Sequence, residues 1–447
     1  MAFSRRSFMG HCGAALAAPL FCPISGYSQN RFAPVQRAAG VSQTLGTARN
    51  LIFIHLRGGP SQIDTFDLKR GSWTPNQLGP QLIGGALDWP AGTMPKLAGM
   101  TDRFSLLRGM SAVEAVHERA SYHLLTSYRK NPSTVPDIPN FMALLSLLLE
   151  NSRDPQDVLP FAVTVSTPEV GSGKLPIEYG LSRIQEDGSL PNLNHPWENA
   201  AQRFDTLTQM ASERTAQARD PRAAYRDILA ATKRMSGDER LKIYNQDGTY
   251  PSTGNFYERW FTGQAAAATR ILSSGLGTRM VFLDFFGWDH HTNIYSNGQG
   301  LPTLSGAFDD AAAYLIESLG AQPGKNGGSL LDETLIVAVG EFGRTVGLVD
   351  ENGGRDHFPY VTPAFLAGGG IQAGRVIGAS NETGSFVTDR GWNQQRDMGI
   401  GDLVATIFSA MGVDWQTQLQ YTPTGRLYDA VDTRLTGPLY PIEELFT

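Results

Sequence analysis

Thiols are the first thing this 447-residue chain is short of. Its two cysteines are Cys12 and Cys22, and none follows them. Once the leader that holds them is removed, the remaining chain excludes disulfides, cysteine-ligated zinc and a thiol nucleophile. A basic run is missing too. With a formal net charge of −6, that argues against a nucleic-acid binder. There is no helical H-E-x-x-H, no internal repeat and no low-complexity linker. The apolar stretch from Ala14 to Phe21 is too short for a permanent membrane span.

What is present fits a globular chain with a real core: 41% hydrophobic and 18% charged residues. The 49 glycines and 26 prolines indicate many turns. Ser4-Arg5-Arg6-Ser7-Phe8-Met9-Gly10 precedes that short apolar stretch. A twin arginine in this position reads as a Tat export signal. It predicts passage through the Tat translocase to the periplasm or the exterior, with cleavage between Pro23 and Asn30. Cys22 follows Leu20-Phe21, a poor lipoprotein box, so no lipidation is expected. The expected plan is a signal over 1–28, a polar linker or arm over 29–49, and a single domain over 50–447.

Hydrophobic patterning sets the fold class. Leu51–Leu56, Phe104–Arg108, Leu159–Val165, Met280–Phe285, Thr334–Val339 and Val361–Ala367 read as short buried strands. Helices are expected over Glu114–Ser127, Asn140–Glu150, Trp197–Met235, Asn255–Leu272, Ser305–Leu319 and Asp402–Met411, the last capped by Gly401 or Asp402. Strands and helices alternate, which predicts an α/β protein with a mostly parallel central sheet and helices on both faces.

Polar clusters sit where the buried strands meet loops, and three lie within Gly287–Pro359. They are Gly287-Trp288-Asp289-His290-His291, Gly340-Glu341-Phe342-Gly343-Arg344-Thr345 and Gly354-Arg355-Asp356-His357. A fourth follows the first strand: Arg57-Gly58-Gly59-Pro60-Ser61-Gln62-Ile63-Asp64. Any one of them also suits a turn or a cap. Together they suggest a site, because open α/β sheets build chemistry at strand ends. On an extended segment Asp289 and His291 share a side. Imidazole with carboxylate suits zinc, iron or manganese, whereas carboxylates alone favour magnesium or calcium. Arg57, Arg344 and Arg355 offer planar donors for an anionic oxygen.

These four motifs, together with the Pro441-Ile442-Glu443-Glu444-Leu445 ending, resemble the family catalogued as domain of unknown function 1501. That family looks like a branch of the alkaline phosphatase and sulfatase superfamily. The resemblance implies an alkaline phosphatase-like fold and a divalent metal ion of unknown identity (zinc, manganese, calcium or magnesium). It also implies hydrolysis of a phosphate or sulfate ester, with an anionic small molecule or glycan as substrate. By position, Asp289, His291, Glu341, Asp356 and His357 would hold metal, and Asp64 or Ser61 would replace the first ligand. Phe342 stands where the superfamily has a histidine. His117 stands at the nucleophile position, with the hydroxyl of Ser111 or Ser61 as the alternative, and Arg344 or Arg57 would hold the anion. The two departures, Phe342 and His117, leave a second reading open: a periplasmic binding or assembly protein that keeps the fold without catalysis. Both readings require the acids and imidazoles near 289, 341 and 357 to converge.

Overall fold

The computed structural model describes residues 44–184 and 254–446, apart from 155, 167–168, 177–178, 421, 423–424 and 435–436, together with 202, 206, 209 and 210. The twin-arginine segment lies outside the described residues. So does the helix expected at Trp197–Met235, those four positions aside.

Eight strands form the central sheet. They are β1 (Asn50–His55), β2 (Phe104–Leu107), β3 (Ala162–Thr164), β4 (Ser182–Arg183), β5 (Met280–Asp284), β6 (Thr334–Val339), β7 (Ala364–Ala367) and β8 (Val376–Ile377). Their spatial order is β8-β2-β7-β6-β1-β5-β3-β4. β1 is central and pairs in parallel with β5 on one side and β6 on the other, so His55 lies opposite both Asp284 and Val339. The C-terminal ends of these three strands therefore meet at one sheet edge. Five of the seven pairings are parallel; β7 runs antiparallel to β6 and β2. The chain leaves β6 at Val339, builds its loops at that same edge, and re-enters at Ala364 opposite Val339. A strand entered from the edge just left must run backwards.

Each long strand is buried throughout and feeds two cores. Ile52, Ile54, Val281, Leu283, Ile336 and Ala338 face one side; Leu51, Phe53, Met280, Phe282, Leu335 and Val337 face the other. That is the period of 2 imposed by a pleated strand. The first face is covered by α3 (Phe256–Ser273) and α4 (Leu301–Gly320), through Phe261, Ala265, Ala268, Phe308, Ala311 and Leu315. The second is covered by α1 (His117–Thr126), α2 (Phe141–Leu148) and α5 (Ile400–Ala410), through Leu124, Phe141, Leu145, Val404 and Phe408. Sandwiched in this way, the sheet has the layered α/β architecture expected from the alternation.

Helix starts follow local chemistry. Asn255 caps α3: its side chain accepts from the Glu258 amide at 3.0 Å, and the Glu258 carboxylate accepts from the Asn255 amide at 2.8 Å. The cap of α5 lies two to three residues before either expected one. Gly399 is the cap, and Asp402 accepts its amide at 2.9 Å from the third helical position. The end of the arm is tied down, with Gly46 and Ala48 donating to the carbonyls of Ser409 and Ala410. Among the described residues no helix is long and apolar enough to cross a membrane.

Candidate metal centre

The strand ends at β1, β5 and β6 and the start of α1 supply the site. β5 runs out into Phe285–His291, carrying Asp289 and His291. β6 runs out into Glu341–Arg344, and Gly343-Arg344 pairs with His357-Phe358 in a two-residue antiparallel ribbon. α1 begins at His117, so that side chain stands at a helix start rather than mid-helix.

His117, Asp289, His291 and His357 each offer one ligand atom, and the four atoms lie within 4.8 Å of one another. His291 Nε2 is 2.9 Å from His357 Nε2 and 3.0 Å from Asp289 Oδ1. Asp289 Oδ1 is 3.1 Å from His117 Nε2 and 3.6 Å from His357 Nε2. Four ligands at ~2.0–2.1 Å around a tetrahedral ion would stand ~3.3 Å apart. The observed spacings bracket that value.

Hydrogen bonding fixes the tautomers. His357 Nδ1 is 2.7 Å from the Ala115 carbonyl oxygen, which can only accept, so the ring proton is on Nδ1. His117 Nδ1 is 2.7 Å from Glu341 Oε1, and an ionised carboxylate likewise accepts. His291 Nδ1 faces Asp356 at a longer 3.5 Å. His117 and His357 in their neutral forms thus point Nε2 lone pairs inward. His117 Nε2 is buried and has no aligned hydrogen-bond partner, despite its closeness to Asp289. Converging lone pairs beside a carboxylate repel unless a cation or a proton lies among them. The residues therefore fit a divalent ion, and three imidazoles with one carboxylate suit a zinc-like ion better than magnesium or calcium.

The surroundings hold this geometry. Arg344 is fully buried, and its Nη2 donates to Asp289 Oδ1 at 2.5 Å and to the Gly58 carbonyl. Its Nε and Nη1 donate to the Gly59 and Arg355 carbonyls at 3.0 Å each. Burial works against the charge on Asp289, but Arg344 and His117 outweigh it and hold its carboxyl below the usual range. Burial also works against a protonated His117; Glu341 and Asp289 outweigh it and raise the imidazole above its ordinary value. A proton and a metal ion compete for that Nε2. Phe342 forms a wall, its ring centroid 4.8 Å from that of His117 and 4.6 Å from that of His357. Gly58, at φ +113°, lies against the backbone of Trp288 and Asp289 where any Cβ would collide.

The structure places the other expected residues elsewhere. Glu341 stands behind His117 with no exposed side chain; it accepts from His117, from His55 Nε2 at 3.2 Å and from the Gly58 amide at 2.9 Å. Those bonds occupy its oxygens and hold the His117 ring in place. Asp64 is also fully buried, and accepts from Arg355 Nε at 2.9 Å, Tyr295 Oη at 2.8 Å and Ser61 Oγ at 2.6 Å. Asp64 and Ser61 thus anchor Arg355, away from the four converging groups. Arg344 orients Asp289 rather than facing solvent. Arg57 is half-exposed and makes a bidentate pair with Asp284, with both N···O distances 3.0 Å. Asp356 is exposed beside His291. His117, expected as a nucleophile-position residue, joins the ligand-type groups. Sequence reasoning missed His55, whose only signal was a polar residue ending a buried strand.

A family model described as protein of unknown function (DUF1501) matches residues 48–444. No curated protein matches the chain by sequence. Solved structures that overlap it include an alkaline phosphatase superfamily protein from Vibrio parahaemolyticus, at 13% identity and TM-score 0.39, covering 98% of this chain and 80% of that one. Another is a putative sulfatase from Bacteroides thetaiotaomicron, at 12% identity and TM-score 0.39, covering 89% and 75%. A third is a phosphonate monoester hydrolase from Silicibacter pomeroyi, at 12% identity and TM-score 0.38, covering 89% and 76%.

Proposed function

The chain belongs to the DUF1501 family of proteins of unknown function, and from its site we infer that it is an exported, metal-dependent hydrolase of phosphate or sulfate esters. The observation that carries this is the convergence of His117, Asp289, His291 and His357 at the sheet edge, with His117 and His357 fixed to present Nε2. Asp289 and His291 are nearly half exposed, so substrate and water have access. A divalent ion held there would polarise an ester oxygen and acidify a water molecule. Arg344 keeps Asp289 charged and aimed, Glu341 keeps the His117 proton on Nδ1, and Phe342 shields one side from water. The ester class is supported by the four motifs' likeness to a family that itself resembles a branch of the alkaline phosphatase and sulfatase superfamily. Export through the Tat translocase to the periplasm or exterior is supported by Arg5-Arg6 and the apolar segment behind them.

The reading is tested by elemental analysis of the purified chain alongside a panel of phosphate and sulfate esters. One zinc-like ion per chain and turnover of an ester are expected, and Asp289→Ala and His357→Ala should each lose both. Full turnover without metal would overturn it. One observation favours a second reading: at the expected nucleophile position stands an imidazole facing the ligand group. Bound metal with no turnover on any ester would make the protein a metal-holding binding or assembly protein.

A further inference from the structure

We propose that Asp350 is a positioning residue: through the turn it closes, it locks the backbone of His291 to the segment leading into His357 and so sets the spacing of these two imidazoles. The proposal rests on the metal reading of the four-residue centre and concerns a residue outside it.

The four ligand-type groups are not held equally. His117 Nδ1 is 2.7 Å from Glu341, His357 Nδ1 is 2.7 Å from the Ala115 carbonyl oxygen, and Asp289 is bonded to Arg344. His291 has no such support. Its Nδ1 stands 3.5 Å from Asp356, beyond ordinary hydrogen-bond length, and the two side chains are 45% and 72% exposed. Metal-facing imidazoles are generally oriented by a partner on their second nitrogen. With little to hold its ring, His291 is placed by its backbone.

That backbone is tied to the segment before His357. Three backbone hydrogen bonds join them: Arg355 N donates to the His290 carbonyl at 2.9 Å, Asn293 N to that of Asn352 at 3.0 Å, and Ile294 N to that of Gly353 at 2.9 Å. Between them Gly354 lies flat against His291, where a Cβ would collide with the His291 carbonyl. Asp350 closes the turn that presents these partners. Its Oδ1 accepts from the amides of Asn352 at 2.9 Å and Gly354 at 2.8 Å. Its own amide donates to the Gly354 carbonyl, and its carbonyl accepts from the Gly353 amide, at 3.0 Å each. Gly353 takes φ +71° inside this turn. A short aspartate side chain is well suited to gathering nearby amides in this way. Without that acceptor the amides of Asn352 and Gly354 turn to water and the turn loosens. His291 Nε2 and His357 Nε2, now 2.9 Å apart, then lose their common register. An ion takes both nitrogens only while they stand within one coordination sphere.

The test compares Asp350→Ala, Asp350→Asn, Gly354→Ala and a control, Asp332→Ala, in the purified chain. Asp332 Oδ2 accepts from the Ser329 amide at 2.7 Å in a turn just before β6, at the sheet edge away from the centre. Zinc affinity is measured by titration with zinc alone, and the melting midpoint on the same preparation. The contact between the His291 and His357 rings, whose centroids are 4.7 Å apart, is followed by nuclear Overhauser effects in the zinc-free chain. Asp350→Ala and Gly354→Ala should each weaken zinc binding by ~10–100-fold, as loss of a support behind a ligand generally does, and should lose the ring contact. Asp350→Asn, whose Oδ1 can still accept both amides, should stay within a few-fold of the parent and keep the contact. Asp332→Ala should lower the melting midpoint without changing affinity. A merely structural Asp350 would behave as Asp332 does, and that result overturns the proposal; so do equal affinities for Asp350→Ala and Asp350→Asn. If Asp350→Ala fails to fold, Asp350→Ser, with its shorter acceptor, takes its place under the same criteria. A parent chain that binds no zinc sinks the metal reading instead, and the ring contact still decides whether Asp350 holds His291 beside His357.

Discussion

Asp64 and Asp289 show how two similar carboxylates take different roles by virtue of their neighbours. Asp289 is 46% exposed at the side chain and shares Oδ1 with three imidazoles and Arg344. Asp64 has no exposed side chain and is paired with Arg355. Breaking a buried pair leaves an uncompensated charge and costs about 3–5 kcal/mol. Asp64→Asn is therefore expected to lower the thermal midpoint while leaving zinc stoichiometry unchanged; loss of the ion in a folded variant would return Asp64 to the ligand set. Gly58 makes the opposite case. A Cβ there would press on the Asp289 backbone, and an L residue resists φ +113°. Gly58→Ala should weaken zinc binding more than it lowers stability, as read by titration and melting on one preparation. Neither role is visible in sequence, where Asp64 and Gly58 both sit in a stretch that reads as a turn.

Elements were legible where hydrophobic period and length agreed. Thr334–Val339 is a strand with the bounds its pattern gives, and Met280–Asp284 ends one residue before its expected limit. Helix starts were less legible, because a cap depends on which side chain reaches back: Asp402 caps from inside α5, not before it. α1 is the element where fold and site meet. His117 opens it, while His123 lies in its last turn, almost wholly buried. Burial pushes the His123 imidazole down to about 4, with Arg129 adding to the effect and Asp432 opposing it. Below the unfolded value near 6.5 the unfolded chain binds the extra proton, so stability falls as pH drops from about 6.5 to about 4. That group alone contributes about 3 kcal/mol of acid sensitivity. Denaturant melts of the zinc-free chain at pH 7 and pH 4 should show His123→Gln losing correspondingly less; equal losses would show that His123 titrates normally.

At the scale of the whole molecule, the sheet acts as a frame that brings distant residues to one edge. His55, Asp289 and Glu341 are hundreds of positions apart in part, yet β1, β5 and β6 are neighbours in register. An ion that binds only the folded chain stabilises it by RT ln(1 + [L]/Kd), about 2.7 kcal/mol at a hundredfold excess over Kd. Zinc should therefore raise the melting midpoint of the parent chain by a few degrees, and a chelator should reverse it. Asp289→Ala should show no such shift; a shift of equal size in that variant would place the ion elsewhere.

The sequence by itself determined the two-sided α/β sheet, because period and burial of short apolar runs are local properties. It also marked the loops that carry the chemistry, through polar clusters following buried strands. Which of those groups meet was decided only by tertiary structure. Strand order set the neighbours, the reversed β7 led the chain back out from the loop edge, and burial with specific donors tied Asp64 and Glu341 to other protein groups. The same forces turned His117 inward. Spacing along a chain does not encode distance across a sheet, and a carboxylate's role depends on the donors that surround it.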